Sequence, residues 1–162
     1  MIDPTLLSPT AAETLTAAGW SAGRDVGSGQ VSQWRLRYTV AHDGVVDEAS
    51  SCWNDAATEF LRSFGGLAVN QSGAGVDLAR NSFTIDPLLL VHWARSLAIR
   101  SRELETVLAP IGRVENGAAI ALSSDNRVYL IDHSSDWAYD PGLERGLSDL
   151  IDGVLPPTRL AL

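Results

Sequence analysis

Asp132, His133, Ser134, Ser135 and Asp136 bring the residue types of a hydrolytic triad into one short stretch. A hydroxyl nucleophile, an imidazole base and an orienting carboxylate do acyl transfer only when they converge in space. Neighbours in sequence rarely point at one another, and a polar loop between a strand and a helix accounts for the segment without chemistry. His42 and His92 stand alone, and three histidines with no paired spacing make a poor metal site. Cys52 is the single cysteine, which excludes an internal disulfide and a multi-thiolate zinc or iron–sulfur centre. Its neighbours Asp47, Glu48 and Asp55 are acidic, whereas a reactive thiol needs positive charge, so it reads as buried and inert. Gly65-Gly66 and Gly73-x-Gly75 match neither phosphate-binding glycine pattern, and a chain without lysine has no P-loop. The double glycine reads instead as a helix stop with a sharp exit.

The elements that must position these residues are marked by caps and breakers. Ser8-Pro9, or the box Thr10-x-x-Glu13, opens a first helix through Leu15 and Ala18 that stops at Gly19. Trp20–Asp25 is a polar turn, and Val31–Val40 fits a helix or a strand equally well. His42-Asp43-Gly44 is turn chemistry. A helix starting near Ser51 or Asn54 carries Ala57, Phe60, Leu61 and Phe64 on one face up to Gly65. Short strands are expected at Leu67–Val69 and Ser82–Ile85, with a loop between them. Asp86-Pro87 opens a long helix in which Leu90, Trp93, Leu97, Leu104 and Leu108 recur at helical steps, and Pro110 ends it. Ile111–Val114, Ala118–Leu122 and Arg127–Ile131 read as strands, the last two joined by a hairpin at residues 123–126. Asp140-Pro141 repeats the capping signature and starts a helix through Leu143, Leu147, Leu150 and Ile151, stopping at Gly153. The Pro156-Pro157-Thr158 tail is expected to leave the fold. Short turns between the late strands predict an α+β single domain, with helices on one face of a mainly antiparallel sheet.

Charge narrows the classes further. Twelve basic and twenty acidic residues leave a net charge of -8, and all the basic ones are arginine. Nucleic-acid binding lacks the basic run that counterion release requires. Apolar runs such as Leu88–Val91 are far too short to span a bilayer, and Met1–Thr5 has no leader character. A soluble, cytoplasmic chain is expected. Residues 125–152 hold seven acids and two arginines, which places most of the net charge in that stretch. This is either a solvating face or a docking surface for a basic partner.

Several segments taken in order resemble the third group of the SUKH superfamily of bacterial immunity proteins. They are Gly19-Trp20-Ser21-x-Gly23-Arg24; then Ala57-x-x-Phe60-Leu61-x-x-Phe64-Gly65-Gly66-Leu67; then Phe83-x-x-Asp86-Pro87. Pro110-Ile111-Gly112, Gly117 and the strand Arg127-Val128-Tyr129 follow. The resemblance spans about residues 12–153, with 154–162 as a tail. It implies an α+β fold with a twisted sheet, and structural roles for Trp20, Phe60, Phe64, Gly65 and Gly66. It also implies a cytoplasmic antidote that binds a toxin domain from a polymorphic or contact-dependent system, commonly a nuclease or nucleic-acid deaminase. It brings no catalytic residue and no cofactor. An acidic protein covering a basic active cleft would mimic a phosphate backbone. On that reasoning Asp125, Asp132, Asp136 and Asp140, with Trp137 and Tyr139 as buried aromatic anchors, are the expected protein-binding residues. Two other readings are a non-catalytic scaffold module of the same fold and a small hydrolase built on His133.

Overall fold

The computed structural model describes residues 2–41 and 52–161. Seven strands form one antiparallel sheet in chain order: β1 (Ala68–Val69), β2 (Phe83–Thr84), β3 (Leu108–Val114), β4 (Ala119–Ser123), β5 (Val128–Ile131), β6 (Asp136–Ala138) and β7 (Thr158–Leu160). The α-helices are α1 (Pro9–Ala17), α2 (Ser28–Val40), α3 (Asp55–Phe64), α4 (Ala94–Glu103) and α5 (Leu143–Asp152). This is the α+β class expected. None of the helices described is long and apolar enough to cross a membrane.

Helix starts follow local chemistry. Ser8 caps α1 by accepting from the Ala11 N–H, so the Ser8-Pro9 signal sets that start. The ambiguous stretch after Gly27 is helical from Ser28. Asn54 caps α3 through its carbonyl oxygen, while its amide nitrogen donates to Val107 O and Leu122 O, both at 2.9 Å. One side chain thus ties a helix start to the approach to β3 and to the end of β4. The turn at His42–Gly44 and the alternative helix start at Ser51 lie outside the described residues.

The long helix expected after Asp86-Pro87 is corrected. Asp86 does cap, accepting from the Leu88 N–H, but a 3-10 helix over Pro87–Trp93 comes first, with Leu90 non-helical inside it. Helix α4 then runs only to Glu103. Glu105 takes a left-handed φ of 53°, and the Ser101 hydroxyl accepts the Leu108 N–H. Leu108 and Pro110 therefore lie in β3, not in a helix. Proline, which has no N–H to give a ladder, sits at the β3–β4 register shift between Pro110 and Gly112.

The helices cover both faces of the sheet, not one. Every residue of β4 is buried, although alternate side chains point to opposite faces. On one face Phe60 of α3 and Leu147 and Leu150 of α5 meet Phe83, Ile111, Ile120 and Val128. Gly146 of α5 is the contact point, since a Cβ there would lie 2.9 Å from Val128 Cγ2. On the other face α4 packs against β3, and its Arg100 reaches Asp136 on β6, three strands away. Trp20 stacks on Phe64 at 5.6 Å, and Phe60 is buried beside it, which matches the structural roles expected of these aromatics. Gly66 takes a φ of 82° on leaving α3, the left-handed turn the double glycine was read for.

The tail does not leave the fold. Thr158–Leu160 returns as β7 and pairs with β6, a strand that sequence periodicity also passed over. Asp140 does not cap α5 either. Gly142, with φ 114°, occupies that position without a side-chain bond, and Asp140 pairs instead with Arg145 at 2.8 Å.

Candidate functional site

The six residues expected to bind a partner fall along β5, β6 and their turns. The strands divide them in two. Asp125 lies in the β4–β5 turn and Asp140 just past β6, at one end of the pair. Asp132 and Asp136 lie at the opposite end, around the β5–β6 turn. A strand rises about 3.3 Å per residue, so Asp125 and Asp132 stand at most ~23 Å apart. A standard interface gives each partner about 800 Å², a patch roughly 28 Å across. Both ends fit under one footprint.

Burial separates these residues more sharply. Asp125 is exposed, and Asp132 and Asp140 are half-buried at the surface. Asp136 and Tyr139 are buried, at 6% and 2% exposure, so little of either side chain is open to a partner in the chain alone. Asp136 accepts from Arg100 Nε at 2.6 Å, while its other carboxylate oxygen is buried with no hydrogen-bond partner. The Tyr139 Cβ lies beside Gly146, and its hydroxyl donates to Val154 O at 3.4 Å. Burial, with Asp149 nearby, pushes the Tyr139 phenol far above its ordinary value. Within the chain both act as internal fasteners. Sequence reasoning missed this because β6 alternates: Asp136 and Ala138 point to one face, Trp137 to the other. Trp137 is half-buried, donates Nε1–H to Ser135 Oγ at 3.0 Å, and carries the Arg159 guanidinium 5.7 Å above its ring.

Each end has a concavity. At the Asp125 end a cleft of about 340 Å³ is lined by Ile2, Glu59, Asp125, Asn126, Leu143 and Glu144. It holds three carboxylates and no basic side chain. Glu59 comes from α3, far away in sequence, so no local reading could have placed it there. At the Asp132 end a groove of about 510 Å³ is lined by Arg100, Asp132, His133, Ser135, Asp136 and Arg159, among others. It is mixed in charge.

The triad-like stretch does not assemble into one. The His133 ring stacks on Trp93 at 5.0 Å, and its backbone N–H donates to Asp132 Oδ1. Among the described residues no hydrogen bond joins the imidazole to Ser134, Ser135, Asp132 or Asp136. Cys52 is fully buried, with its thiol donating to Ala94 O at 3.4 Å. Among the described residues no group of three or more histidine, cysteine or acidic side chains is placed to hold a metal ion.

Around the acidic cleft, several charges are partly neutralised within the chain. Arg145 pairs with Asp140 and more loosely, at 3.9 Å, with Asp149. Glu144 accepts from the Asp3 N–H at 3.0 Å. Partial burial raises the Asp149 carboxyl above its usual range despite Arg145. What remains outward is a carboxylate surface made by Glu59, Asp125 and Glu144.

Comparisons with curated proteins and with solved structures found no match. The family model for the SUKH-3 immunity protein matches residues 7–153, nearly the whole chain and every element but β7 and the first short 3-10 turn (Pro4–Leu6). The chain belongs to the SUKH-3 immunity protein family.

Proposed function

We propose that this immunity protein binds a cognate toxin domain of a bacterial polymorphic or contact-dependent system and covers its active cleft. The observation that carries the reading is the family match over residues 7–153. The toxin is a basic enzyme acting on nucleic acid, a nuclease or a deaminase. A cleft that holds a polyanion is positive, and a chain of net charge -8 is attracted to it at long range. The contact surface comprises Asp125, Asp132, Asp140 and Trp137, with Glu59 and Glu144 added from the cleft and Asp136 and Tyr139 withdrawn into the core. Steering by such a surface raises the association rate and weakens as salt rises.

The test is charge reversal at both ends, Asp125→Arg together with Asp132→Arg, against the toxin domain encoded beside this chain's gene. Expected is slower association at low salt, and affinity reduced about tenfold or more. Unchanged affinity at low salt refutes the acidic surface. A scaffold module of the same fold would bind no toxin domain and would give no protection to cells expressing one.

A further inference from the structure

The sheet ends in β7, and its hydrogen-bond pattern shows which backbone groups are left over. Asp132 N–H donates to Ser135 O and Tyr139 N–H to Val128 O, both at 3.0 Å. These bonds fix the alternation between β5 and β6: residues 135, 137 and 139 turn their backbone groups toward β5. Asp136 and Ala138 then face β7, where their partners are Leu160 and Thr158. It follows that Leu160 and Thr158 point inward and Arg159 points outward. Among the described residues no strand pairs beyond β7, whose outer edge presents the Pro157 C=O, the Arg159 N–H and C=O, and the Ala161 N–H.

Edges of this kind are normally blunted. Here the Arg159 side chain folds over the Trp137 ring, so it does not cover the backbone of its own strand. Arg159 is exposed, and among the described residues it makes no ion pair. At the far end of the strand the Asp132–Asp136 groove continues past Leu160 and Ala161. The opposite edge of the sheet is different: β1 is two residues long and lies against α1.

We propose that β7 is a docking edge, on which an extended segment of the toxin partner adds as a further strand. It is held by the outward groups of Pro157, Arg159 and Ala161 and carries an acidic side chain opposite Arg159. This rests on the toxin-binding reading above and deepens it. The Arg159 guanidinium, stacked on Trp137 and without an ion-pair partner among the described residues, selects the occupant, since opposite charges on facing strand positions stabilise and like charges repel. A second copy of this chain is disfavoured for the same reason. The two-fold pairing that uses all four outward groups centres on Arg159 and sets two guanidinium groups face to face. The added strand, running beyond Ala161, lays its next residues over the groove.

The experiment is hydrogen–deuterium exchange on the chain alone and in complex with the toxin domain encoded beside its gene, joined to Arg159→Pro. The Arg159 and Ala161 amides are expected to exchange freely in the chain alone and to be protected in the complex. Proline at position 159 removes an outward N–H and the exposed guanidinium on Trp137 but no ladder bond to β6, so the melting transition shifts little while affinity falls tenfold to a hundredfold. Thr158→Pro removes an inward N–H and lowers the melting transition. Arg159→Glu, which keeps the backbone intact, weakens binding about tenfold and carries the test should the proline variant unfold. If the wild-type chain binds and the two amides stay unprotected, or both 159 variants bind at full strength, the docking edge is wrong and the immunity reading stands. If the wild-type chain does not bind the toxin domain, both fall together.

Discussion

Arg100→Met isolates the buried ion pair between Arg100 and Asp136. Asp136 is 6% exposed, and Arg100, with its side chain 20% exposed, is its ion-pair partner. Methionine keeps most of the stem's packing while removing the guanidinium. A buried carboxylate stripped of its partner costs about 3–5 kcal/mol. A chain of 162 residues unfolds with an entropy near 0.34 kcal/mol/K at ~2.1 cal/mol/K per residue, so the melting temperature should drop by roughly 9–15 °C. Removing both charges is a different matter. Asp136→Leu places an apolar side chain on β6, and the double variant Arg100→Met with Asp136→Leu should return to within about 1 kcal/mol of wild type. Denaturant unfolding of the wild type, both single variants and the double variant closes the cycle. A single Arg100→Met cost below about 1 kcal/mol would refute the reasoning, because Asp136 would then not depend on Arg100. So would a double variant as unstable as Arg100→Met alone.

Three further outcomes follow from packing and burial. Asn54→Ala removes a helix cap and leaves two carbonyls without their donor, so urea unfolding should show a loss of about 2–4 kcal/mol. Gly65→Ala places a Cβ 2.5 Å from Leu61 O and from the Trp34 ring, so a destabilisation of about 1–3 kcal/mol is expected, with Trp34 fluorescence altered. The three tyrosines, Tyr38, Tyr129 and Tyr139, are all raised above 10, chiefly by burial. The folded chain therefore keeps phenol protons that the unfolded chain loses near pH 10, and stability falls as pH climbs past that value. An absorbance titration near 295 nm should show less phenolate at pH 10 than three solvent-exposed tyrosines give, with Tyr38 and Tyr139 ionising as the chain unfolds.

What the sequence made legible follows from how local each signal is. The stripe Ala57, Phe60, Leu61 and Phe64 needs only helical spacing and a cap, and α3 is found where that pattern lies. The β4–β5 hairpin is equally local, with Asn126 taking the left-handed φ of 63° that its turn requires. Leu108 shows the limit. It continues a helical spacing by coincidence, while the left-handed Glu105 and the Ser101 hydroxyl divert the chain into β3. Strands β6 and β7 are three residues each and have no alternation of their own to read; pairing across the sheet defines them. The same limit governs the site. Composition located the acidic stretch, yet only the β6 register shows that Asp136 and Trp137 point to opposite faces, and only packing against α5 buries Tyr139 on Trp137's side of the sheet. Glu59 joins Asp125 and Glu144 through packing of α3 against the hairpin, which no local pattern records.

The central claim is that this chain neutralises a toxin by binding it through a charged surface. A titration against the toxin domain encoded beside its gene, at low and at high salt, tests it most directly. The account predicts tight binding at low salt that weakens as salt rises, with slower association as the main change. Tight binding indifferent to salt would contradict the acidic surface and move the contact to apolar residues. No binding at either salt would contradict the account itself.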